Sequence, residues 1–584
     1  MDRLRRVLGD SWALAAPYWR SEDRWAARGL LIAVIGLNLG IVYLNVLLNQ
    51  WNNGFYNALQ DKNQGVFVHQ LVRFSWLAAL YIVVAVYQLY LNQMLQIRWR
   101  RWLTERYLST WLGGGSYFRM QLGASETDNP DQRIAEDLEL FVSGTLGLAI
   151  GGLRALVTLV SFVAILWGLS GSLTIPVGGS SFTLPGYMVW AALAYAIVGT
   201  WVTSRIGRPL VRLNFDQQRF EADFRFGLVR FRENAEGVAL YHGESDELQG
   251  FRRRFGAVVR NFRDIMRRQK QLTWFTSGYA QAAVIFPFLV AAPRYFRGAL
   301  HLGGLVQTAT AFGQVQDSLS FIVSSYTDIA SWRSVVDRLV GFGRDLQRVR
   351  SQAASGRGIV VAEGDAAQLA LEDLELDLPG GERLISGVNL SLARGDTALL
   401  EGPSGVGKST LIRAIAGIWP FGKGVIRIPR GARVLVLPQK PYLPIGTLRE
   451  VVSYPGPATG VADAMLREAV EAVGLPALAG RLEEEGHWAL QFSPGEQQRI
   501  AFARALVHRP EWLFLDEATS AVDEATEAQL YGLLRERLPG TAIFSVGHRG
   551  TLRRLHAREL VVRPNHDGPA SVVEVSSSAS QRIG

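Results

Sequence analysis

One stretch of the chain combines the residue types that hold a chain of phosphate groups. It consists of Gly402, Pro403, Ser404, Gly405, Val406, Gly407, Lys408, Ser409 and Thr410. The apolar run before it predicts a short buried strand and the run after it predicts a helix, which is the context of a P-loop. Glycines let several backbone N–H groups point at phosphate oxygens, and the helix N-terminus adds positive potential. We therefore expect Lys408 to contact the β- and γ-phosphates of ATP and Ser409 to bind Mg²⁺.

An acidic pair further along the chain supplies the remaining groups for phosphoryl chemistry. Asp516 and Glu517 follow the apolar run Trp512–Leu515, which predicts a buried strand. A carboxylate at the tip of such a strand can hold Mg²⁺ through water, and the next carboxylate can polarise the attacking water. We assign the first role to Asp516 and the second, as catalytic base, to Glu517.

The composition indicates a membrane protein of two or three domains. The 584 residues are 48% hydrophobic and only 19% charged, with a mean hydropathy of +0.10. The net charge of +9 comes from arginines beside apolar segments, which suits a cytoplasmic membrane face rather than nucleic acid. No cysteine is present, which excludes disulfides and cysteine-based metal sites. A cleavable signal peptide is not expected, because the first apolar span starts only near Arg28.

Six apolar segments are long enough to cross a membrane, which takes roughly 20 residues. They lie near 29–50, 74–95, 140–169, 187–205, 272–296 and 302–330. The N-terminus and the loops after the second and fourth spans are rich in arginine, whereas the loop 171–186 has no charge. Arginine bias therefore predicts that both termini and the long loops are cytoplasmic. The apolar spacing in 97–112 and 204–270 predicts helices that project into the cytoplasm and whose ends reach an ATPase domain.

Polar residues recur inside three of the spans at helical spacing. The positions with this spacing are Asn38, Asn45 and Asn49 in span one, Tyr81, Gln88 and Asn92 in span two, and Thr310, Gln314, Asp317 and Ser324 in span six. Because polar groups are costly against lipid, such stripes face a bundle interior or a water-filled cavity. Two interpretations stay open, hydrogen bonding between helices and a path for a solute. We expect Asp317 to be buried and to serve the path, because a carboxylate at membrane depth is energetically costly and usually has a function.

Composition divides the chain into four segments. We predict a transmembrane domain over 1–346, a linker over 347–368 where hydrophobic periodicity is lost, an ATP-binding domain over 369–565 and a tail over 566–584. From about Leu369 onward, strands alternate with helices, which predicts an α/β nucleotide-binding domain.

Four more motifs follow the P-loop in a fixed order. The run Phe492–Arg499 resembles the signature sequence of ABC transporters, with Ser493, Pro494, Gly495, Glu496 and Gln497 as its contacting residues. Gln439 resembles the Q-loop glutamine, Asp523 the D-loop aspartate and His548 the switch histidine of that family. The resemblance implies that Gln439 and His548 sense the γ-phosphate, that Gln439 also approaches Mg²⁺, and that the signature contacts ATP held by a partner chain.

Two departures from the family pattern affect nucleotide contacts. Pro494 stands where the family has the first glycine of its signature pair, so one N–H is missing. The segment Leu376–Pro379 has no aromatic residue at the position where the family often stacks one on adenine.

The membrane half resembles the ABCD-type and SbmA/BacA-like (YddA-like) transporters. The similar segments are Trp51–Gln60, Trp99–Thr104, Asn129–Ile134 and Ala292–Phe296, together with Glu233–Glu244, which is similar to the EAA-like motif of that group. The last of these suggests Glu236 as a coupling residue. The aromatic residues of the first segment are equally consistent with an interfacial aromatic belt.

The resemblance implies a membrane protein with a six-helix transmembrane domain of the exporter-type ABC fold, plus a C-terminal α/β P-loop nucleotide-binding domain. With one P-loop and one signature per chain, it implies a homodimer that binds ATP and Mg²⁺ and contacts membrane lipid and a transported solute, but no nucleic acid. We expect uptake of peptides or other bulky hydrophilic solutes across a bacterial inner membrane. The alternatives are an exporter or fatty acyl-CoA/lipid transporter of the same fold, or a regulatory membrane ATPase without cargo. The six spans argue against a soluble DNA-acting ATPase.

Overall fold

The computed structural model describes residues 2–122, 129–177, 180–354, 358–364, 367–565 and 568–575. The chain forms two compact units. The first combines Met1–Leu108 with Asn129–Phe342, and the second combines Ser109–Asp128 with Gly343–Gly584. We call them the membrane unit and the ATPase unit.

The membrane unit is built of long helices. Its main helices are Asp2–Ala15, Arg24–Gln60, Gln64–Leu112, Leu138–Ser170, Tyr187–Glu233, Ala235–Tyr241, Glu244–Phe296, Leu302–Ser324 and Tyr326–Ala354, of which Gln64–Leu112 and Tyr326–Ala354 continue into the ATPase unit. A two-stranded hairpin, Ser172–Val177 with Ser180–Pro185, occupies the uncharged loop after the third span.

Five helical stretches of the described residues are long and apolar enough to cross a membrane. They are Arg24–Gln60, Gln64–Leu122, Pro130–Ser170, Tyr187–Glu233 and Glu244–Phe296. They contain the first five predicted spans. The predicted projecting segment 97–112 lies in the second stretch, whereas 204–270 is divided between the fourth and fifth stretches, with the short helix Ala235–Tyr241 between them. The helix at the place of the sixth span, Leu302–Ser324, is 23 residues long. Its glutamines and Asp317 lower its hydropathy, so it is not among the five.

The helix Leu302–Ser324 is the centre of the packing in the membrane unit. It packs against Leu138–Ser170 and Arg24–Gln60 and also meets Tyr187–Glu233 and Glu244–Phe296. Phe312 is fully buried there, in one cluster with Phe162. Because lipid is as apolar as these side chains, close van der Waals packing and hydrogen bonds between helices supply the stabilisation.

Amide side chains join the first spanning helix to the start of this central helix. Asn49 Nδ2 donates to Gln307 O at 3.0 Å, and Asn53 Nδ2 donates to Gln307 Oε1 at 2.7 Å. The Gly303 N–H, one of the unpaired donors at a helix start, donates to Asn57 Oδ1 at 2.8 Å. Asn49, one of the polar residues predicted in the first span, therefore connects this helix to the central helix.

The ATPase unit contains a ten-stranded mixed sheet. The strands in spatial order are Ile359–Gly364, Gly422–Pro429, Gln368–Asp377, Arg383–Ala393, Gly568–Val575, Arg558–Asn565, Thr397–Glu401, Ala542–Val546, Trp512–Asp516 and Val434–Leu437. The last five pair in parallel with one another. Three of them, from Thr397–Glu401 to Trp512–Asp516, are almost entirely buried, which explains their continuous apolar runs.

Helices cover this sheet, and one of them begins with the signature residues. The main ones are Lys408–Ile415, Leu448–Ser453, Asp463–Ala472, Pro494–His508 and Glu524–Arg537. Two clusters of buried apolar residues, one of which includes Phe514 and Phe544 and the other Ile500 and Leu515, form its core. Because the central strands are parallel, their carboxyl ends lie at one edge, where the loops that follow them can form a site.

The domain boundaries differ from the prediction at three places. Residues 116–122 form a short helix in the ATPase unit, where Arg119 donates to Gly417 O at 2.9 Å. The predicted linker contains the end of helix Tyr326–Ala354 and the edge strand Ile359–Gly364. The predicted tail contributes the strand Gly568–Val575, which pairs with Arg558–Asn565. The short helix, the edge strand and the tail strand each also contact a part of the chain distant in sequence, namely Gly417, the strand Gly422–Pro429 and the strand Arg383–Ala393, which local periodicity does not show.

Candidate active site

The P-loop connects the buried strand Thr397–Glu401 to the helix Lys408–Ile415. Gly407 adopts φ 104°, and a Cβ atom there would lie 2.7 Å from Leu384 Cδ2, so glycine is required. Lys408 Nζ donates to Gly402 O and Pro403 O, each at 2.7 Å. Burial lowers the pKa of Lys408, and the nearby carboxylates of Glu517 and Asp516 oppose this shift. The backbone carbonyls of the P-loop thus hold the Lys408 ammonium group inside the loop.

Ser409 and Asp516 supply oxygen ligands suited to Mg²⁺. Ser409 Oγ donates to Asp516 Oδ1 at 2.9 Å. Burial raises the pKa of Asp516, whereas the Ser409 hydrogen bond lowers it. Among the described residues no three His, Asp or Glu side chains cluster as a metal site. A hydroxyl and a carboxylate oxygen nevertheless fit Mg²⁺, which takes few protein ligands and completes its shell with water and phosphate oxygens.

The predicted catalytic residues meet at the carboxyl edge of the sheet. Gln439 Nε2 donates to Glu517 Oε2 at 3.0 Å, and His548 Nε2 lies 3.4 Å from Glu517 Oε1. Glu517 has a φ of 49°, which is unusual for a residue with a side chain. Its N–H donates to Val546 O at 3.1 Å, which fixes this conformation from the neighbouring strand. The three residues therefore form one contact group, with Gln439 and His548 on the two oxygens of Glu517.

The signature residues begin the helix Pro494–His508. Ser493 is the N-cap: its Oγ accepts from Glu496 N at 3.3 Å, and Glu496 Oε2 accepts from Ser493 N at 2.8 Å. The Ser493 hydroxyl, which donates to Glu496 Oε2 at 2.8 Å, and the Ser493 N–H hold the pKa of Glu496 below its usual value. Gln497 Nε2 donates to Ala489 O and Phe492 O, both at 3.0 Å. Ser493 and Glu496 thus fix the helix start, and Gln497 ties it to the preceding chain.

Gln498, which the sequence did not suggest as a site residue, connects three motifs. Its side chain is on the signature helix, and only 2% of the residue is exposed. Nε2 donates to Gln439 O at 3.0 Å and to Ser520 Oγ at 3.1 Å, and Oε1 accepts from Ala521 N at 2.9 Å. The sequence signal that could have suggested it is a second glutamine directly after Gln497. If the side chain of such a residue is buried, its amide NH₂ and its amide oxygen both need hydrogen-bond partners.

The predicted D-loop residue Asp523 has a local role in the structure. It caps the helix Glu524–Arg537, with Oδ1 accepting from Thr526 N at 2.8 Å and Oδ2 from Thr526 Oγ1 at 2.9 Å. These hydrogen bonds lower the pKa of Asp523. The carboxylate fixes the end of the D-loop at the start of this helix.

The residues predicted for a solute path have several environments. Asn38 is buried and donates to Val34 O of its own helix at 2.8 Å. Asn45, Gln88 and Gln314 are half-buried.

Two of the predicted path residues stand apart from the others. Asn92 Oδ1 is buried and finds no partner among the described residues. Asp317 is exposed, so the prediction that it is buried was wrong. Val315 and Gln316, the two residues before it, are buried, whereas Asp317 lies on a side of the helix that the described chain leaves uncovered.

Glu236 lies on the short helix Ala235–Tyr241, between the two long helices Tyr187–Glu233 and Glu244–Phe296. Glu236 is exposed, and the last two residues of the helix, Leu240 and Tyr241, are exposed by 73% and 88%. A helix that buries none of its residues in its own chain is available for another surface.

Both halves of the chain match known protein families. Residues 14–296 match the family described as ABC transporter transmembrane region 2, and residues 385–520 match the family described as ABC transporter. The second match includes the P-loop, Gln439, the signature and the acidic pair.

Curated relatives match along almost the whole chain. The inner membrane ABC transporter ATP-binding protein YddA of Escherichia coli is 34% identical over 548 residues, which cover 94% of this chain and 96% of that protein. The chloroplastic ABC transporter D family member 2 of Arabidopsis thaliana is 33% identical, covering 94% and 85%. The human lysosomal cobalamin transporter ABCD4 is 26% identical, covering 93% and 92%.

A solved structure shows the same fold. A bacterial Atm1-family ABC exporter with ATP bound superposes with a TM-score of 0.71 and 18% sequence identity, covering 93% of this chain and 94% of that one. The predicted architecture, a helical exporter-type membrane domain with a C-terminal nucleotide-binding domain, is confirmed by this likeness.

Proposed function

The chain belongs to the ABC transporters that join a membrane domain and an ATP-binding domain in one polypeptide, and on that premise we propose that it takes up peptides or other bulky hydrophilic solutes as a homodimer. It is a multi-pass protein of the inner membrane and an ATPase whose hydrolysis is coupled to transport. The proposal concerns the solute, the direction of its movement and the partner subunit.

The observation that carries the proposal for a hydrophilic solute is the polarity of the spanning helices. The Asn92 amide oxygen is buried and has no hydrogen-bond partner among the residues that the structure describes, and the Asp317 carboxylate is exposed on its helix. Neither group is tolerated against lipid, so both need water or a polar ligand. A bulky hydrophilic solute supplies such partners, and the name of the human relative identifies a solute of this kind, cobalamin.

Hydrolysis follows from the contact group at the carboxyl edge of the sheet. In the proposed mechanism, the Glu517 carboxylate accepts the proton of the attacking water. Gln439 and His548, which already lie against its two oxygens, orient it towards the γ-phosphate. Lys408 exchanges its bonds to the loop carbonyls for bonds to phosphate. Mg²⁺ held by Ser409, Asp516 and Gln439 would neutralise developing charge on the phosphates.

The homodimer follows from the single copy of each motif. In this proposal, Ser493 and the Gly495 N–H contact the ATP bound at Lys408 of the other copy. ATP then joins the two ATPase units, and hydrolysis removes that link, so the γ-phosphate supplies the difference in affinity between two states. The exposed helix with Glu236 is proposed to transmit this change to the membrane helices.

Two alternatives differ in cargo and direction. An exporter or a fatty acyl-CoA/lipid transporter has the same fold, and the solved exporter that shares it is compatible with outward movement. A regulatory ATPase without cargo would also keep the catalytic group. The likeness to SbmA/BacA-like transporters, which supports uptake, remains a prediction.

Vesicles of both orientations test the proposal. The protein is reconstituted or expressed in right-side-out and inside-out vesicles, with ATP on the side of the ATPase units, and uptake of a labelled peptide and of labelled cobalamin is followed. We expect accumulation on the side of the ATPase units, abolished by Glu517→Gln. Accumulation on the opposite side would identify an exporter. Intact ATPase activity without movement of either probe would contradict the proposed cargo class.

A further inference from the structure

We propose that a pocket between two helices of the membrane unit binds a cationic group attached to an apolar body, with Asp328 as the counter-charge. This inference rests on the proposed function, because the cation is taken to be part of the transported solute. The pocket has a volume of about 470 Å³ and lies between the helix Leu138–Ser170 and the segment from Phe321 to Val335. That volume accommodates an amino-acid side chain or a small organic group, not a whole peptide.

Asp328 is the only ionisable residue that lines this pocket among the described residues. It is exposed, and its carboxylate makes no ion pair or hydrogen bond within the part of the chain that the structure describes. It lies in the first turn of helix Tyr326–Ala354, where the helix N-terminus offers only a partial positive charge. The carboxylate is therefore free to pair with a cation supplied by a ligand.

The nearby arginines do not supply this charge, because they are paired elsewhere. Arg333 lies 3.8 Å from Asp337, and Arg338 binds the buried carboxylate of Asp137 at 2.5 Å. An acidic residue left unpaired beside two paired arginines differs from an ordinary charged helix face, where opposite charges three or four residues apart neutralise each other.

The walls of the pocket suit the rest of such a ligand. Phe321 and Trp332 provide aromatic surface, and Ser143, Ser325 and Ser331 provide hydroxyl groups. Trp332 is held in place, because its Nε1 donates to Thr145 Oγ1 at 2.9 Å. Aromatic faces attract ammonium and guanidinium groups, so a cation near Asp328 gains from both the carboxylate and the rings.

Small residues on the facing helix create the space. A side chain at Gly144 would place its Cβ 2.9 Å from Trp332 Cδ1, and one at Gly151 would place its Cβ 3.1 Å from Phe321. The aromatic rings therefore lie close to the backbone of helix Leu138–Ser170, and the room left between them belongs to the ligand.

Binding of three matched peptides to the full chain in lipid nanodiscs tests the inference. The probes are a fluorescent blocked hexapeptide with one phenylalanine and one lysine, and the same peptide with leucine or glutamate in place of lysine. We expect the wild-type chain to prefer the lysine peptide and Asp328→Asn to weaken its binding about 10- to 100-fold, the loss of one charge-assisted contact. Binding of the leucine peptide should stay unchanged, and Asp328→Lys should favour the glutamate peptide.

Asp337→Asn is the matched control, since Asp337 is an exposed acid on the same helix that already pairs with Arg333. Unchanged discrimination among the peptides in Asp328→Asn, or equal loss in Asp337→Asn, would overturn the proposal. So would altered dimerisation of Asp328→Asn without altered peptide binding, because the pocket would then be a contact between subunits. Vesicle uptake is scored separately: equal uptake of all three peptides, abolished by Glu517→Gln, would support the proposed function and refute this pocket.

Discussion

Gln498→Ala is expected to loosen the active site without changing any group that touches ATP. The substitution removes three hydrogen bonds of 2.9 to 3.1 Å, to Gln439 O, Ser520 Oγ and Ala521 N. At a net 0.5–1.5 kcal/mol each, their loss lowers the free energy of unfolding of the ATPase unit by about 1.5–4.5 kcal/mol. Because the loops are partly exposed, water can replace the lost partners, and the lower half of this range is expected.

Hydrogen exchange measures this effect at single amides. The Ala521 N–H should exchange about 2- to 13-fold faster in Gln498→Ala, which corresponds to the loss of one hydrogen bond. Gln498→Glu keeps an acceptor for Ala521 N and removes the donor to Gln439 O, so the Ala521 amide should remain protected while ATP hydrolysis falls. Arg499→Ala, next on the same helix and bonded to Gly474 O, is the control. Equal protection of the Ala521 amide in Gln498→Ala and wild type would refute the reasoning.

Three further predictions concern the catalytic group and the membrane unit. Glu517→Gln should reduce ATP hydrolysis by about 10²- to 10⁴-fold, the usual contribution of a general base, while ATP binding persists; turnover equal to wild type would exclude Glu517 as the base. Lys408→Ala should weaken ATP binding about 10- to 100-fold in equilibrium titrations, and unchanged affinity would contradict the P-loop assignment. Arg338→Ala should destabilise the membrane unit by about 1.5–3 kcal/mol in thermal unfolding, because Asp137 is 2% exposed and would keep only Arg133 as its charged partner. Arg333→Ala, which breaks only an exposed pair, should cost at most about 1 kcal/mol; equal effects of the two would show that burial of the partner is irrelevant.

The active site could be predicted because its chemistry is local to strand ends. Asp516 and Glu517 follow one apolar strand, and His548 follows another. These strands are parallel neighbours, so their carboxyl ends meet at one edge, and the same holds for Val434–Leu437 before Gln439. The resemblance to the family identified Gln439 and His548, and the parallel pairing of these strands explains why both side chains lie against Glu517.

The features that the sequence did not reveal depend on distant partners. Gln498 acquires its role from Ser520 and Ala521, which lie more than 20 residues later. The strand Gly568–Val575 is partly exposed, so its periodicity is weak, and besides its hairpin with Arg558–Asn565 it pairs with Arg383–Ala393, far earlier in the chain. Asp317 was judged by its place in an apolar span, but exposure depends on which side of the helix other helices cover. Periodicity predicts a helix, and neighbours decide which side of it is buried.

The position of Pro494 in its helix explains why proline can replace the first glycine of the signature. Pro494 is the first residue after the N-cap Ser493, a position where the missing N–H has no partner within the helix and the fixed φ of proline suits helical geometry. The next residue has no such freedom, because a Cβ on Gly495 would lie 3.0 Å from Ala521 O. The signature helix and the D-loop therefore touch backbone to backbone at Gly495, next to the side-chain bond from Gln498 to the Ala521 N–H. Gly495→Ala should consequently displace the same D-loop amide as Gln498→Ala, whereas Pro494→Gly should leave its hydrogen exchange unchanged; the reverse order of effects would show that the first signature position, not the second, determines the contact with the D-loop.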